Sequence, residues 1–251
     1  MQAEALKTAI EHCRRRKFLC GGALYWSFNA PWPNACWETV DYYGRPKMGY
    51  YFAKRAFAPV LVSPLRRGDE IEVWVVNDEL RMVRGVLKVS VVDVERGEVI
   101  GEREASISVE PNSSSLVARY KLRDLGVEDP EAVVLCFRLE HDGGESRNVL
   151  LLARHRDVRF STTSLELEVV EARREGDDAI IEVEVGSERY ARLAFIDVAE
   201  DYVAVASDNF FDLLPGERRR ITLRVKKPGK TVTVIAAAYN APTPVRRVVE
   251  L

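Results

Sequence analysis

Two periods divide the chain. Over residues 2–17, Ala3, Leu6, Ile10 and Cys13 recur at three- and four-residue steps and line one stripe, which predicts an amphipathic helix. Glu4 near its start and Arg14 to Lys17 near its end suit the helix dipole. Gly21-Gly22 break the pattern. The run Ala23-Leu24-Tyr25-Trp26-Ser27-Phe28 is mostly apolar and aromatic. It predicts a strand buried on both faces, as in a parallel sheet under helices, ended by Pro31 and Pro33. A second helix is expected after Gly44-Arg45-Pro46, holding Tyr50, Phe52, Arg55 and Phe57 and closed by Pro59. Helix, strand and helix make one αβα unit. A lone parallel strand has no ladder partners, so this segment reads as the end of a larger α/β architecture.

From about residue 60 the period becomes two. Ile71, Val73 and Val75 alternate with Glu70, Glu72 and Trp74, and the pattern repeats at Leu87, Val89 and Val91, at Ile107 and Val109, and at Val133, Leu135 and Phe137. Turn signals lie between, at Gly68, Gly97, Pro111-Asn112-Ser113 and Gly143-Gly144. The same grammar restarts near Ser164, with Leu165, Leu167 and Val169, then Ile181, Val183 and Val185, then Ile221, Leu223 and Val225, then Val232 and Val234. Short alternating strands between regular turns predict immunoglobulin-like sandwiches. The expected fold is mainly β: residues 1–59 as a terminal αβα piece, and tandem sandwiches over 60–158 and 159–251.

Composition narrows the function classes. Of 251 residues, 47% are hydrophobic and 30% charged, which excludes disorder. The net charge of −2 gives no basic surface for nucleic acid. The basic runs Arg14 to Lys17 and Arg218 to Arg220 read as solvated faces. No run approaches the ~20 apolar residues of a membrane span, and Glu4 and Glu11 stand where a signal peptide has its apolar core. A cytoplasmic protein is expected. Cys13, Cys20, Cys36 and Cys136 form no CxxC pair, so reduced cysteines packed as small apolar residues are expected. His12, His141 and His155 are scattered, and neither a metal nor a cofactor is expected. Gln2 is the only glutamine amid abundant Arg and Glu, a bias that points to a thermophilic source.

Candidate chemistry concentrates at one place. Trp26 and Trp32 flank Asn29 in the run Gly22 to Pro33. Indole faces stack on the C–H faces of sugar rings, and an amide orients hydroxyls. The alternative is core packing with a Pro-kinked loop. No serine or cysteine nucleophile has a local motif. Glu70 and Glu72 alternate outward and read as solvated surface.

The segment from Gly22 to Ser63 resembles the last strand and final helix of the catalytic barrel in β-mannosidases of glycoside hydrolase family 2. The residues that carry the likeness are Tyr25-Trp26, Asn29, Trp32-Pro33, Trp37, Asp41-Tyr42-Tyr43-Gly44-Arg45, Lys47 and Phe57-Ala58-Pro59. Ser207 to Glu217 resembles the signature of the terminal sandwich in the same enzymes. Where the family pattern has Asp after the asparagine, this chain has Ala30.

The resemblance implies a retaining β-glycosidase in which Trp26, Asn29 and Trp32 line the sugar site. It also implies an acid/base glutamate from the fourth barrel strand and a nucleophile from the seventh. Both positions would precede Met1, so no catalytic residue is expected in this chain. The expected partners are an upstream barrel polypeptide and, once assembled, a β-linked sugar. The start at Met1 fits a split gene, a truncated reading frame or an expressed fragment. A rival reading is a stand-alone, non-catalytic sandwich module that binds carbohydrate or serves as a scaffold. Ser207 to Glu217 is expected to be a structural turn with core aromatics.

Overall fold

Both expected helices form in the computed structural model, which describes residues 1–251: α1 (Gln2–Arg15) and α2 (Met48–Ala56). The chain groups into two compact units, residues 1–25 with 52–160 and residues 26–51 with 161–251.

In the first unit the strands are β1 (Val60–Arg67), β2 (Glu70–Asn77), β3 (Val83–Asp93), β4 (Glu98–Val109), β5 (Ser113–Lys121), β6 (Val133–His141) and β7 (Gly144–Leu151). They form two antiparallel sheets, β1-β2-β5 and β4-β3-β6-β7. After β1 and β2 pair, the chain crosses to the second sheet for β3 and β4. It returns as β5 to pair with β2, which is the Greek-key path of an immunoglobulin-type sandwich. Ile71, Val73 and Val75 on one sheet and Leu87, Val89, Leu135 and Phe137 on the other fill the core. Gly68 and Gly97 carry φ of 63° and 73°, left-handed values that favour glycine at a hairpin turn.

The α1 stripe buries Ala3 and Ile10, and Ile10 packs with Ala53 and Ala56 beside Leu6, Ala23 and Tyr25. Below that stripe the helix also buries Glu11 and Arg15. Glu11 Oε2 accepts from Ser63 Oγ at 2.7 Å, and Glu11 Oε1 accepts from Asn148 Nδ2 at 2.9 Å. Arg15 Nη1 donates to Ser63 Oγ at 2.5 Å and lies 3.4 Å from Glu11 Oε2. Asn148 Nδ2 also donates to the Val62 carbonyl at 2.8 Å, and Val62 N–H donates to Ser146 Oγ at 2.9 Å. One carboxylate thus ties α1 to β1 and β7.

The basic run after the helix is not a solvated face. Arg14 donates to the Ala56 carbonyl at 2.5 Å and to Asp78 at 2.8 Å, and Lys17 reaches Asp78 at 2.6 Å. Arg15 is buried. Glu72 is likewise engaged: it accepts from the Trp74 indole at 3.1 Å and pairs with Arg119 at 3.6 Å. Among the cysteines only Cys136 is buried, Cys13 and Cys20 are half-buried and Cys36 is exposed, all as free thiols. Apolar packing therefore describes one cysteine of the four.

The expected strand over residues 23–28 does not form. The segment has no regular structure, and its nearest ladder element is an isolated bridge between Asn29 and Val40. The apolar run supplies side chains for a buried strand, but backbone N–H and C=O groups need neighbouring strands to pair with. Leu24 and Trp26 stand in solvent instead.

In the second unit the strands are β8 (Leu165–Glu175), β9 (Asp178–Ser187), β10 (Ala191–Val198), β11 (Ala204–Ala206), β12 (Phe211–Leu213), β13 (Arg218–Val225), β14 (Thr231–Ala238) and β15 (Ala241–Glu250). The sheets run β11-β13-β9-β8 and β12-β10-β14-β15. Pro242 and Pro244 sit in β15, an edge strand where a missing N–H costs no ladder bond.

The Ser207 to Glu217 segment is built as a structural clamp. Asn209 Oδ1 accepts from Ile196 N–H at 2.9 Å while its Nδ2 donates to the Ile196 carbonyl at 2.8 Å. Asp212 accepts from Tyr190 Oη at 2.5 Å, Arg192 Nη1 at 2.6 Å and Leu193 N–H at 2.8 Å. Phe210 stacks on Phe195 with centroids 5.5 Å apart, and the Arg219 guanidinium lies 4.1 Å above Phe211. Tyr51, also buried in this unit, accepts from Ala206 N–H at 3.2 Å, and burial pushes its phenol pKa up.

Glu11→Ala is expected to destabilise the first unit by about 3 kcal/mol, because the buried Arg15 loses its counter-charge. Chemical unfolding followed by Trp74 fluorescence, with the other tryptophans replaced by Phe, measures it. Asp212→Ala is expected to cost the second unit about 3 kcal/mol by stranding the buried Arg192. Calorimetry of the two transitions checks that the loss is confined to that unit.

Candidate functional site

The three residues singled out from sequence all lie on the irregular segment 26–47 of the second unit. Trp26 is 82% exposed and Trp32 63% exposed, and Asn29 also faces solvent. Core packing, the alternative for the two indoles, is not what the fold shows. The two indoles flank Asn29 along the chain, and both stand in solvent.

Backbone pairing shapes the segment without making it a strand. Ala30 N–H donates to the Val40 carbonyl at 3.0 Å, Val40 N–H to Phe28 O at 2.8 Å and Thr39 N–H to Phe28 O at 3.0 Å. The Thr39 hydroxyl repeats that contact at 2.9 Å. Two stretches, 27–30 and 39–40, are thereby held side by side, and Ala30 is buried beneath them. Asp41 Oδ1 accepts from Arg45 N–H at 2.8 Å, closing a turn in which Gly44 has φ of 86°. Arg45 pairs with Asp201 and lies 5.5 Å over the Tyr43 ring. Phe28 meets Tyr50 edge-on at 6.3 Å.

Three further features accompany the predicted trio. Trp37, Tyr42 and Tyr43 are exposed as well, with the tyrosine rings T-shaped at 5.3 Å. Glu38 is buried: Oε1 accepts from Asn34 Nδ2 at 3.2 Å, and Oε2 lies 3.9 Å from Lys47 Nζ with no hydrogen bond. Lys47 donates to the Cys36 carbonyl at 3.2 Å. A buried carboxylate four residues after Asn34 was visible in the sequence only as an acidic residue among aromatics. No group of three or more His, Cys, Asp or Glu side chains is placed to hold a metal ion. No helix is long and apolar enough to cross a membrane.

Residues 69–157 match the family described as Mannosidase Ig/CBM-like domain, and residues 164–238 match a second described as Ig-fold domain. A β-mannosidase B from Aspergillus clavatus is 26% identical over 91% of this chain and 28% of its own length. The crystal structure of β-D-mannosidase from Dictyoglomus thermophilum superposes with a TM-score of 0.78 at 27% identity, over 95% of this chain and 29% of that one. The chain is similar, over most of its length, to the C-terminal part of glycoside hydrolase family 2 β-mannosidases. An exo-chitosanase from Amycolatopsis orientalis has the same fold, with a TM-score of 0.79 at 17% identity over 100% of this chain. The chain spans little more than a quarter of the length of the β-mannosidases it matches.

Because their side chains stand in water, Trp26→Ala and Trp32→Ala are each expected to change stability by no more than about 0.5 kcal/mol. Phe137→Ala, in the core of the first sandwich, is expected to cost about 3–5 kcal/mol. Thermal unfolding of the three variants compares them.

Proposed function

We propose that this chain serves as the C-terminal portion of a β-mannosidase-like retaining glycosidase. Residues 1–59 supply the last elements of the (β/α)8 barrel, and the sandwiches over 60–158 and 159–251 brace it. Trp26, Asn29 and Trp32 line the site of a β-linked sugar. Cleavage with retention uses two carboxyl groups ~5 Å apart across one anomeric carbon. In this reading neither of those glutamates belongs to this chain, and both come from a partner barrel polypeptide.

The observation that carries this reading is the exposure of Trp26, Phe28, Trp32, Trp37, Tyr42 and Tyr43 along one short segment. Leaving a large apolar side chain in water forgoes about 1.5–3 kcal/mol of burial, and exposed apolar surface on this scale marks an interaction site. The segment that lacks sheet partners is also the one that resembles a barrel strand. A missing set of neighbouring strands accounts for both facts. The rival, a non-catalytic sandwich module that binds carbohydrate, draws on the same exposed indoles and dispenses with the barrel.

The purified chain is expected to release no p-nitrophenol from an aryl β-mannoside. Mixed with a polypeptide carrying the preceding barrel strands, it is expected to bind and restore turnover. Trp26→Ala then lowers the restored rate roughly tenfold through lost sugar stacking, and Trp74→Ala leaves it nearly unchanged. Turnover by the chain alone contradicts the proposal. Failure of the two polypeptides to associate favours the module, and equal effects of the two substitutions remove Trp26 from the sugar site.

A further inference from the structure

We propose that the second unit carries a carbohydrate subsite in a groove along the outer face of β10, where it takes one edge of a pyranose ring. Along β10, Ile196 and Val198 belong to the sandwich core, so the alternate residues Phe195 and Asp197 face outward. Arg45 and Pro46, from the segment that leads into α2, complete the lining of a cavity of about 90 Å³ there. All of its lining residues belong to this one unit. Its floor is Tyr51 and Asn209, both buried. Asn209 spends its amide on both backbone groups of Ile196, so the floor is set before a ligand arrives. Pro46 and the stacked rings of Phe195 and Phe210 give an apolar wall.

Two charged groups in the groove have hydrogen-bonding capacity to spare. Arg45 pairs with Asp201 through Nη2, and its Nε and Nη1 have no acceptor in the protein. Asp197 Oδ1 accepts from Val198 N–H at 2.8 Å, and its Oδ2 has no donor. Desolvation in the groove pushes the Asp197 carboxyl pKa up, against the lowering by Val198 N–H and the Arg45 cation. A carboxylate short of donors and a guanidinium short of acceptors therefore line one small space. Neighbouring hydroxyls of a sugar supply both, one donating to Asp197 and the next accepting from Arg45. The C–H face of the ring then lies against the apolar wall. A simple anion would meet the charge of Asp197 and a simple cation that of Arg45, so the groove favours a neutral polyhydroxy ligand. Its volume admits a ring edge and leaves the rest of the sugar in water. The site uses none of Trp26, Asn29 and Trp32, and it stands whether or not those residues line a catalytic centre.

The test titrates the folded, ¹⁵N-labelled 251-residue chain with methyl β-mannopyranoside, and separately with glycine as a zwitterion of similar reach. Two-dimensional ¹H–¹⁵N spectra follow the Arg45 Nε–H and the amides of Phe195, Asp197 and Phe210. The mannoside is expected to shift these signals saturably, and glycine to leave them in place. Asp197→Asn keeps the side chain's size and its contact with Val198, and is expected to weaken binding about tenfold by removing a charge-assisted hydrogen bond. Trp26→Ala is expected to leave the affinity at this groove unchanged. The proposal is overturned if the mannoside gives no saturable shift at these signals, or if glycine shifts them and the mannoside does not. It is overturned as well if binding survives Asp197→Asn and is lost in Trp26→Ala. That last result places the sugar on the aromatic segment and leaves the proposed role of Trp26 intact.

Discussion

The Glu11 carboxylate is the contact on which the N-terminal part of the first unit depends. It sits on the helix face turned toward β1 and β7 and is met there by Ser63, Asn148 and Arg15. A buried charge is costly unless its oxygens are filled by hydrogen bonds and a counter-charge. Here both oxygens are filled, and Lys7 adds a second cation at 3.3 Å from the more exposed side. The consequence is positional. Once Glu11 is docked, Arg14 and Lys17 reach Asp78, and the chain leaves the helix in one direction toward Gly21-Gly22. The second unit has a counterpart in Asp212 and Asn209, whose side chains replace ladder bonds at the irregular start of β10. Leu193 and Phe210 adopt φ of 52° and 53° there, a strained backbone that persists because these acceptors fix it.

Much of this fold was legible from the alternation of side chains, and the failures have physical causes. Strands whose inward positions are apolar and outward positions polar, such as β2, β3, β6, β9 and β13, could be read directly. β1 escaped because its run Val60-Leu61-Val62-Ser63 is buried throughout, with Ser63 turned toward α1, so no alternation survives. β7 escaped for the opposite reason: its buried positions hold Ser146 and Asn148, which bond to the backbone of β1. β5 opens on three serines and reads as a loop. The strand expected over residues 23–28 failed because side-chain pattern reports burial, while a strand also requires neighbours that this chain does not provide.

The candidate site shows the same division. Trp26, Asn29 and Trp32 drew attention in the sequence as two indoles around an amide. Their exposure, which gives them meaning, was not legible, since the same apolar run predicts burial. As an isolated glutamate Glu38 carries no spacing signal, and only the fold shows its carboxylate buried against Asn34 and Lys47. The two sandwiches have closed apolar cores. The segment between the helices has paired its backbone only locally and left its aromatics in water. The chain is closed and paired within its sandwiches and leaves a run of aromatics in water between its helices.

Hydrogen exchange on the isolated 251-residue chain tests that division most directly. The account predicts that amides of residues 23–28 exchange at nearly unprotected rates, while those of Leu87 to Val92 in β3 open only with global unfolding. Protection of residues 23–28 equal to that of β3, in a monomer, would contradict it.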